Sequence, residues 1–291
     1  MELFQYPYMQ RALIGALVIG LAAPALGIYL VQRRLALIGD GVGHVALTGV
    51  GAGLLLNRSP VLVAVIVASL GAITIELVRA RGRTSGDLAL ALLFYGGIAG
   101  GVMLVGLSDS TSASLNAYLF GSLSTIKPAD LVTIAVLGAA ILVTMLALRP
   151  ALFAICHDEE YARVSGLPVR TLNLLLAVAT AVTVTIAMRA VGVLLISALM
   201  VVPVAAAQQV TRGFRSTMTA AMALGLFAAG AGVYVAANAD TAPGASVVLM
   251  AIASFALVAL GGAGWRTLRR RRVTPPAAPA AEPHEVVLDR S

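Results

Sequence analysis

Asp40 and His44 stand inside an otherwise apolar, glycine-rich run, GDGVGHVALTGVGAG. A carboxylate and an imidazole in such a segment are costly unless they face a partner or water. A spacing of four places both on one face of a helix. Carboxylate oxygen and neutral imidazole nitrogen suit a divalent metal such as zinc, manganese or iron, and one ion can touch both. The same groups also make a hydrogen-bonded pair that only fixes helix packing, because two ligands do not close a metal site. Gly39, Gly41, Gly43, Gly49, Gly51 and Gly53 give small-x-x-x-small spacings for close helix approach. Bare backbone beside the pair also leaves room for an ion or water.

A second polar constellation is ALFAICHDEEYARVSGLPVR, where Asp158, Glu159, Glu160, Tyr161, Ala162 and Arg163 precede Gly166 and Pro168. It reads as a short amphipathic helix over about 155–168, stopped by glycine. Such a helix between two apolar runs is either a solvated loop or a lever that docks into a soluble partner. Cys156 is the sole cysteine, so one chain builds neither a disulfide nor a thiolate metal site. Several chemistries are excluded by what is missing. The single lysine, Lys127, follows Ile126, so the glycine-lysine pair of a phosphate-binding loop is absent and the chain is not an ATPase. None of the three histidines meets the zinc-protease spacing, and no G-x-S-x-G elbow occurs. An acid–base membrane enzyme built on Asp40 and His44 finds no other support.

The elements that must position these residues follow from composition. The 291 residues are 59% hydrophobic and 11% charged, with mean hydropathy +0.95, where a soluble domain carries roughly a quarter charged residues. Such a chain cannot cover a water-facing surface. At about twenty residues per span, apolar runs fall at 12–32, 37–56, 60–78, 87–107, 131–149, 170–188, 190–210, 217–237 and 245–264. The expectation is an all-α, polytopic membrane bundle of about nine helices, or eight plus a re-entrant piece, with the weakest boundary at Arg189. An N-terminus outside collects Arg33, Arg34, Arg79, Arg81, Arg83, Arg149, Arg163, Arg170, Arg212, Arg215, Arg266 and Arg269 to Arg272 on the cytoplasmic side, leaving Arg11, Arg58, Lys127 and Arg189 outside. The formal charge of +7 is therefore a set of topology signals and not a nucleic-acid surface. The first ten residues lack the basic start of a secretory signal, so the first run reads as a retained helix. The membrane domain then covers 1–272, with a proline- and alanine-rich disordered cytoplasmic tail over 273–291. A short helix dipping toward the membrane is expected around Tyr118 to Ile126.

Taken together, the blocks RRLALIGDGVGHVAL, HDEEYARVSGLPV, GVLLISALMVVPVAAA with Pro203, and APGASVVL resemble the zinc and manganese ABC transporter permeases, the membrane subunits of bacterial transition-metal importers. The likeness runs from about Ala12 to Leu260. It implies a homodimer around a central path in the inner membrane, a pair of cytoplasmic ATPases that carry the ATP, and an extracytoplasmic metal-binding protein. It implies that Asp40 and His44 line the path, and that the stretch from Asp158 to Gly166 is a coupling helix seated in the ATPase. No permanently bound cofactor is expected. The cargo is a divalent metal, zinc first, with manganese or iron as alternatives. An ion-coupled secondary metal transporter or a permease for a metal chelate are the rival readings. The chain departs from the usual pattern at Gly43, Thr48 and Ala91 and retains Asp87 in the fourth span; whether Asp87, or Glu76 in the third span, contributes to the path is left open by the sequence.

Overall fold

The structure, a computed structural model, describes residues 6–80, 86–108, 112–122, 126 and 128–272. The described residues form helices and no strands. In chain order they are α1 (Pro7–Gln32), α2 (Ile38–Leu55), α3 (Pro60–Ala80), α4 (Gly86–Gly106), α5 (Ser112–Phe120), α6 (Pro128–Ala147), α7 (Arg149–His157), α8 (Glu159–Val164), α9 (Val169–Ala187), α10 (Ile196–Val210), α11 (Phe214–Ala239) and α12 (Pro243–Arg272). Seven of them, α1, α2, α3, α6, α9, α11 and α12, are long and apolar enough to cross a bilayer. The apolar part of α4, Leu90–Gly106, and α10 are shorter. The expected disordered tail over 273–291 lies outside the described residues.

The bundle is built around α1, whose Ile19, Leu26, Ile28 and Tyr29 are fully buried. Pro24 sits inside this helix and cannot donate to the Gly20 carbonyl one turn back. At that point α11 presents Gly225, so close that a Cβ on Gly20 would stand 2.8 Å from the Gly225 carbonyl oxygen. Two backbones thus meet where the helix has a free acceptor, a packing that small residues permit in a membrane. The Tyr29 hydroxyl finds the Met145 carbonyl on α6 at 2.8 Å. Thr180, Thr183 and Thr185, all buried on α9, return their hydroxyls to carbonyls one turn back at 2.7 Å, so no polar group is left bare in that helix interior. The outward faces are apolar: Leu62, Ile66 and Leu70 on α3, Val132, Val136 and Val143 on α6, and Leu249, Ile252, Leu257 and Leu260 on α12 are all exposed. Large exposed apolar faces of this kind belong in lipid or against another membrane subunit.

Three expectations about boundaries change. The run expected at 190–210 becomes helical only at Ile196. Gly192 adopts φ +89°, and a Cβ on it would meet the backbone of Leu119, Phe120 and Gly121. The break between α9 and α10 is therefore occupied by the end of α5. Val193 N–H donates to the Tyr118 carbonyl at 3.0 Å and Leu194 N–H to the Leu119 carbonyl at 3.3 Å. Arg189 reinforces this seam, lying 5.2 Å over the Tyr118 ring and 3.4 Å from Asp130. The short helix expected around Tyr118 to Ile126 is α5, and it ends at Phe120, where Gly121 turns with φ +78°. Residues 123–125 and 127 lie outside the described set. Finally, the single helix expected over 155–168 is two, α7 and α8, because Asp158 leaves the helical region with φ −152° and ψ 108° to cap the second.

Candidate functional site

Asp40 lies in the first turn of α2, where unsatisfied backbone N–H groups favour a negative charge. The first turn of α10 faces it. Ser197, buried, donates its hydroxyl to Asp40 Oδ1. The approach is close because the residue before Asp40 is Gly39: a Cβ there would stand 3.3 Å from Ser197 Cβ. Asp40 is half-buried and opens into a cleft of about 260 Å³ lined also by Leu37, Leu90, Ala91, Phe94 and Tyr95.

His44 follows one turn later and is only 7% exposed. Its ring meets Phe94 edge-on, with centroids 4.3 Å apart and planes at 75°. Its Nδ1 is buried and has no hydrogen-bond partner among the described residues. Phe94 therefore borders both groups: it lines the cleft of Asp40 and covers His44. Helix α4 can come this near because of Gly97, where a Cβ would lie 2.6 Å from the His44 carbonyl carbon and from Val45 N. Thr48, one turn beyond His44, donates its hydroxyl to the Gly97 carbonyl at 2.8 Å and ties the same two helices. Two of the positions that depart from the family pattern thus have places in this geometry, Thr48 as a tie and Ala91 as part of the cleft wall.

Among the described residues no cluster of three or more histidine, cysteine or acidic side chains is arranged to hold a metal ion. Asp40 and His44 thus offer one oxygen and one nitrogen donor per chain, short of the four ligands a closed zinc site uses. Glu76 is buried at the end of α3, but Arg79 takes up its carboxylate at 2.9–3.1 Å. It lines a separate cavity of about 710 Å³ with Glu159, Arg163 and Asn173. The side chain of Asp87 lies outside the described residues.

The second constellation is organised around α8. Asp158 Oδ1 accepts from Tyr161 N–H at 2.9 Å, a cap that starts the helix. Gly166 ends it with φ +82°, Gly166 N–H reaching the Arg163 carbonyl and Leu167 N–H the Ala162 carbonyl, both at 3.1 Å. This is a left-handed glycine stop that a side chain would strain. Ala162 is buried, while Glu160, Tyr161 and Val164 face outward, Val164 with 88% of its surface exposed. Glu159 turns inward. Its Oε2 receives Arg33 at 2.8 Å, and its Oε1 receives Arg163 at 3.4 Å. Arg33 also donates to Asn173 Oδ1 on α9. On α7, Cys156 packs against α1, its Sγ 3.7 Å from the Tyr29 carbonyl, and burial pushes the thiol up to about 11 although Arg33 pulls the other way.

Sequence reasoning brought Asp40 and His44 to one helix and the acidic stretch to one short helix. It missed Ser197, Phe94, Arg33 and Asn173. Ser197 lay within the quoted block GVLLISALMVVPVAAA but carried no signal of its own, and Arg33 was read only as a topology marker.

Helices enough for several crossings, outward apolar faces and a half-buried oxygen–nitrogen pair between them define a multi-pass membrane protein with an internal polar site. The family model described as the ABC 3 transport family matches residues 5–261, and the chain belongs to that family. A manganese transport system membrane protein, MntC of Halalkalibacterium halodurans, is 31% identical over 257 residues, covering 88% of each chain. The high-affinity zinc uptake system membrane protein ZnuB of Haemophilus influenzae is 30% identical, covering 84% of this chain and 94% of the relative. The solved structure of PsaBC from Streptococcus pneumoniae in complex with Fab is similar with a TM-score of 0.80 at 29% identity, covering 88% of this chain and 92% of the other.

Proposed function

We propose that this chain is the membrane-spanning permease of an ABC importer for divalent transition-metal ions in a bacterial inner membrane. It crosses about nine times, with α4 and α10 counted alongside the seven long helices, its N-terminus outside and its C-terminus cytoplasmic. The arginine distribution supports that orientation. Two copies form the path, a pair of cytoplasmic ATPases supplies the energy, and an extracytoplasmic metal-binding protein delivers the ion. The chain itself hydrolyses no ATP. Its Asp158 to Gly166 segment is the grip on the motor, with Glu160, Tyr161 and Val164 presented outward for it.

One observation carries the reading of the cargo: a buried imidazole nitrogen without a hydrogen-bond partner among the described residues, one turn from a half-buried carboxylate, in a chain of this family. Relatives named for manganese and for zinc support the class of ion, and oxygen plus nitrogen ligands suit both, zinc foremost. Transport needs a site weak enough to release what it binds, and a two-ligand set per chain meets that need. The cycle is alternating access: the loaded binding protein docks outside, ATP binding closes the ATPases, and α8 passes the motion to the paired bundles.

The test is uptake by the complex reconstituted in vesicles, with zinc or manganese loaded on its binding protein. Asp40→Ala and His44→Ala assemble normally and abolish ATP-dependent uptake. Full uptake by both variants at limiting metal removes the pair from the path, and gradient-driven uptake by this chain without an ATPase overturns the importer reading.

A further inference from the structure

We propose that Arg33 is the strut that carries motion from α8 to the helix bearing Asp40, an assignment that rests on the importer reading above. Arg33 caps the C-terminus of α1, and its side chain is only 8% exposed. Its two guanidinium nitrogens divide between different elements: one donates to Glu159 Oε2 on α8 at 2.8 Å, the other to Asn173 Oδ1 on α9. A planar fork held this way transmits direction as well as attraction, because neither partner can shift without breaking a charge-assisted bond or moving the fork. Asn173 is itself buried, so its bond is not readily replaced by water.

The other end of the strut is covalent. Arg34 follows in the left-handed region at φ 58°, Leu35 N–H returns to the Leu30 carbonyl at 2.8 Å, and Ile38 N–H to the Leu35 carbonyl at 3.0 Å. A turn hydrogen-bonded to the helix before and the helix after has little slack. It leads directly into α2, whose first turn holds Asp40. A push on the outward face of α8 thus reaches Glu159, then Arg33, then the base of α2, in one packed series. The bland alternative is that Arg33 only glues α1, α8 and α9 together. The two differ in what they couple: glue affects assembly and all activity alike, whereas a strut sets how much metal moves for each ATP spent.

The experiment uses the full complex with its ATPases in vesicles and measures zinc uptake and phosphate release together. Glu159→Gln keeps an oxygen that can accept from Arg33 but removes the charge, at a side chain 39% exposed, and Arg33→Gln removes the charge from the other side; thermal unfolding of each complex is measured alongside. Each lowers the zinc moved per ATP by about tenfold, within the range of coupling between protein sites, and the exchange Arg33→Glu with Glu159→Arg restores most of the ratio. A ratio for Glu159→Gln equal to wild type, in vesicles where the wild-type complex is coupled, overturns the strut alone. A wild-type complex that hydrolyses ATP and moves no zinc overturns the importer reading and the strut with it.

Discussion

Ser197→Ala is the sharpest probe of the site, because it removes one oxygen and nothing else that packs. Ser197 Oγ donates to Asp40 Oδ1, while the Ser197 Cβ supports Gly39 of α2; alanine keeps that Cβ. A carboxylate offers about four lone-pair positions, and the serine takes one of them, orienting the rest. A hydrogen bond to a charged group contributes about 1.5–3 kcal/mol. Loss of a second partner of a metal ligand typically costs about 10–100-fold in affinity or activity. The two scales agree, since about 1.4 kcal/mol is tenfold. Asp40 is half-buried, with water at hand through its cleft to replace the hydroxyl, so the lower end applies. Ser197→Ala weakens zinc binding to the purified permease by about tenfold, with little change in thermal unfolding. Calorimetric titration of zinc into the detergent-solubilised protein reads the affinity, and Asp40→Ala sets the floor. If Asp40→Ala removes binding while Ser197→Ala changes it by less than about twofold, the serine does not orient the carboxylate and the reasoning fails.

Gly97→Ala puts a Cβ 2.6 Å from the His44 and Val45 backbone, where ordinary carbon contacts need about 3.5–4 Å; α4 must withdraw by about 1 Å, at a cost of about 1–3 kcal/mol. Thermal unfolding in detergent falls and uptake falls with it, while Gly96→Ala, with nothing within 4 Å of its new Cβ, is silent in both. Burial holds the Cys156 thiol up at about 11 from 9.0, so at pH 8 its thiolate fraction and iodoacetamide labelling run about a hundredfold below those of the denatured chain. The sign for stability follows: the folded state favours the neutral thiol, so this contribution is whole below pH 9 and fades as pH climbs from 9.0 toward 11. Equal labelling of native and denatured protein at pH 8 contradicts the burial.

Where the sequence was legible, the reason was contrast. Asp40 and His44 are visible because charge inside an apolar run is rare, and α8 is visible because Asp158, Glu159 and Glu160 start a helix that Gly166 stops. The partners were not visible, because a serine in an apolar run or an arginine at its end has many roles. Which one applies depends on what another helix brings alongside. Ser197 acquires its role only when α10 starts at Ile196, and that start depends on α5 filling the break around Gly192, a contact across more than seventy residues. Arg33 could be counted for topology from its place between runs, yet its guanidinium belongs to Glu159 and Asn173, both more than a hundred residues away. Apolar length located the long helices well. It failed at 190–195, where glycine conformation and not hydropathy decides.

The contrast between Asp40, open to its cleft, and buried His44 bears on which ion the proposed site favours. On the reading proposed above, an ion entering from the cleft meets the Asp40 carboxylate first, while the His44 ring beside Phe94 keeps its Nδ1 buried. In a homodimer the paired sites would sum to two carboxylates and two imidazoles. Four ligands of mixed oxygen and nitrogen match the tetrahedral preference of zinc, whereas manganese with its taste for octahedral oxygen would keep water in the remaining positions. On the proposed reading, a path that strips the ion of its water at these four ligands favours zinc over manganese. A more open path, with Phe94 replaced by a small side chain, leaves the water in place and shifts the preference toward manganese.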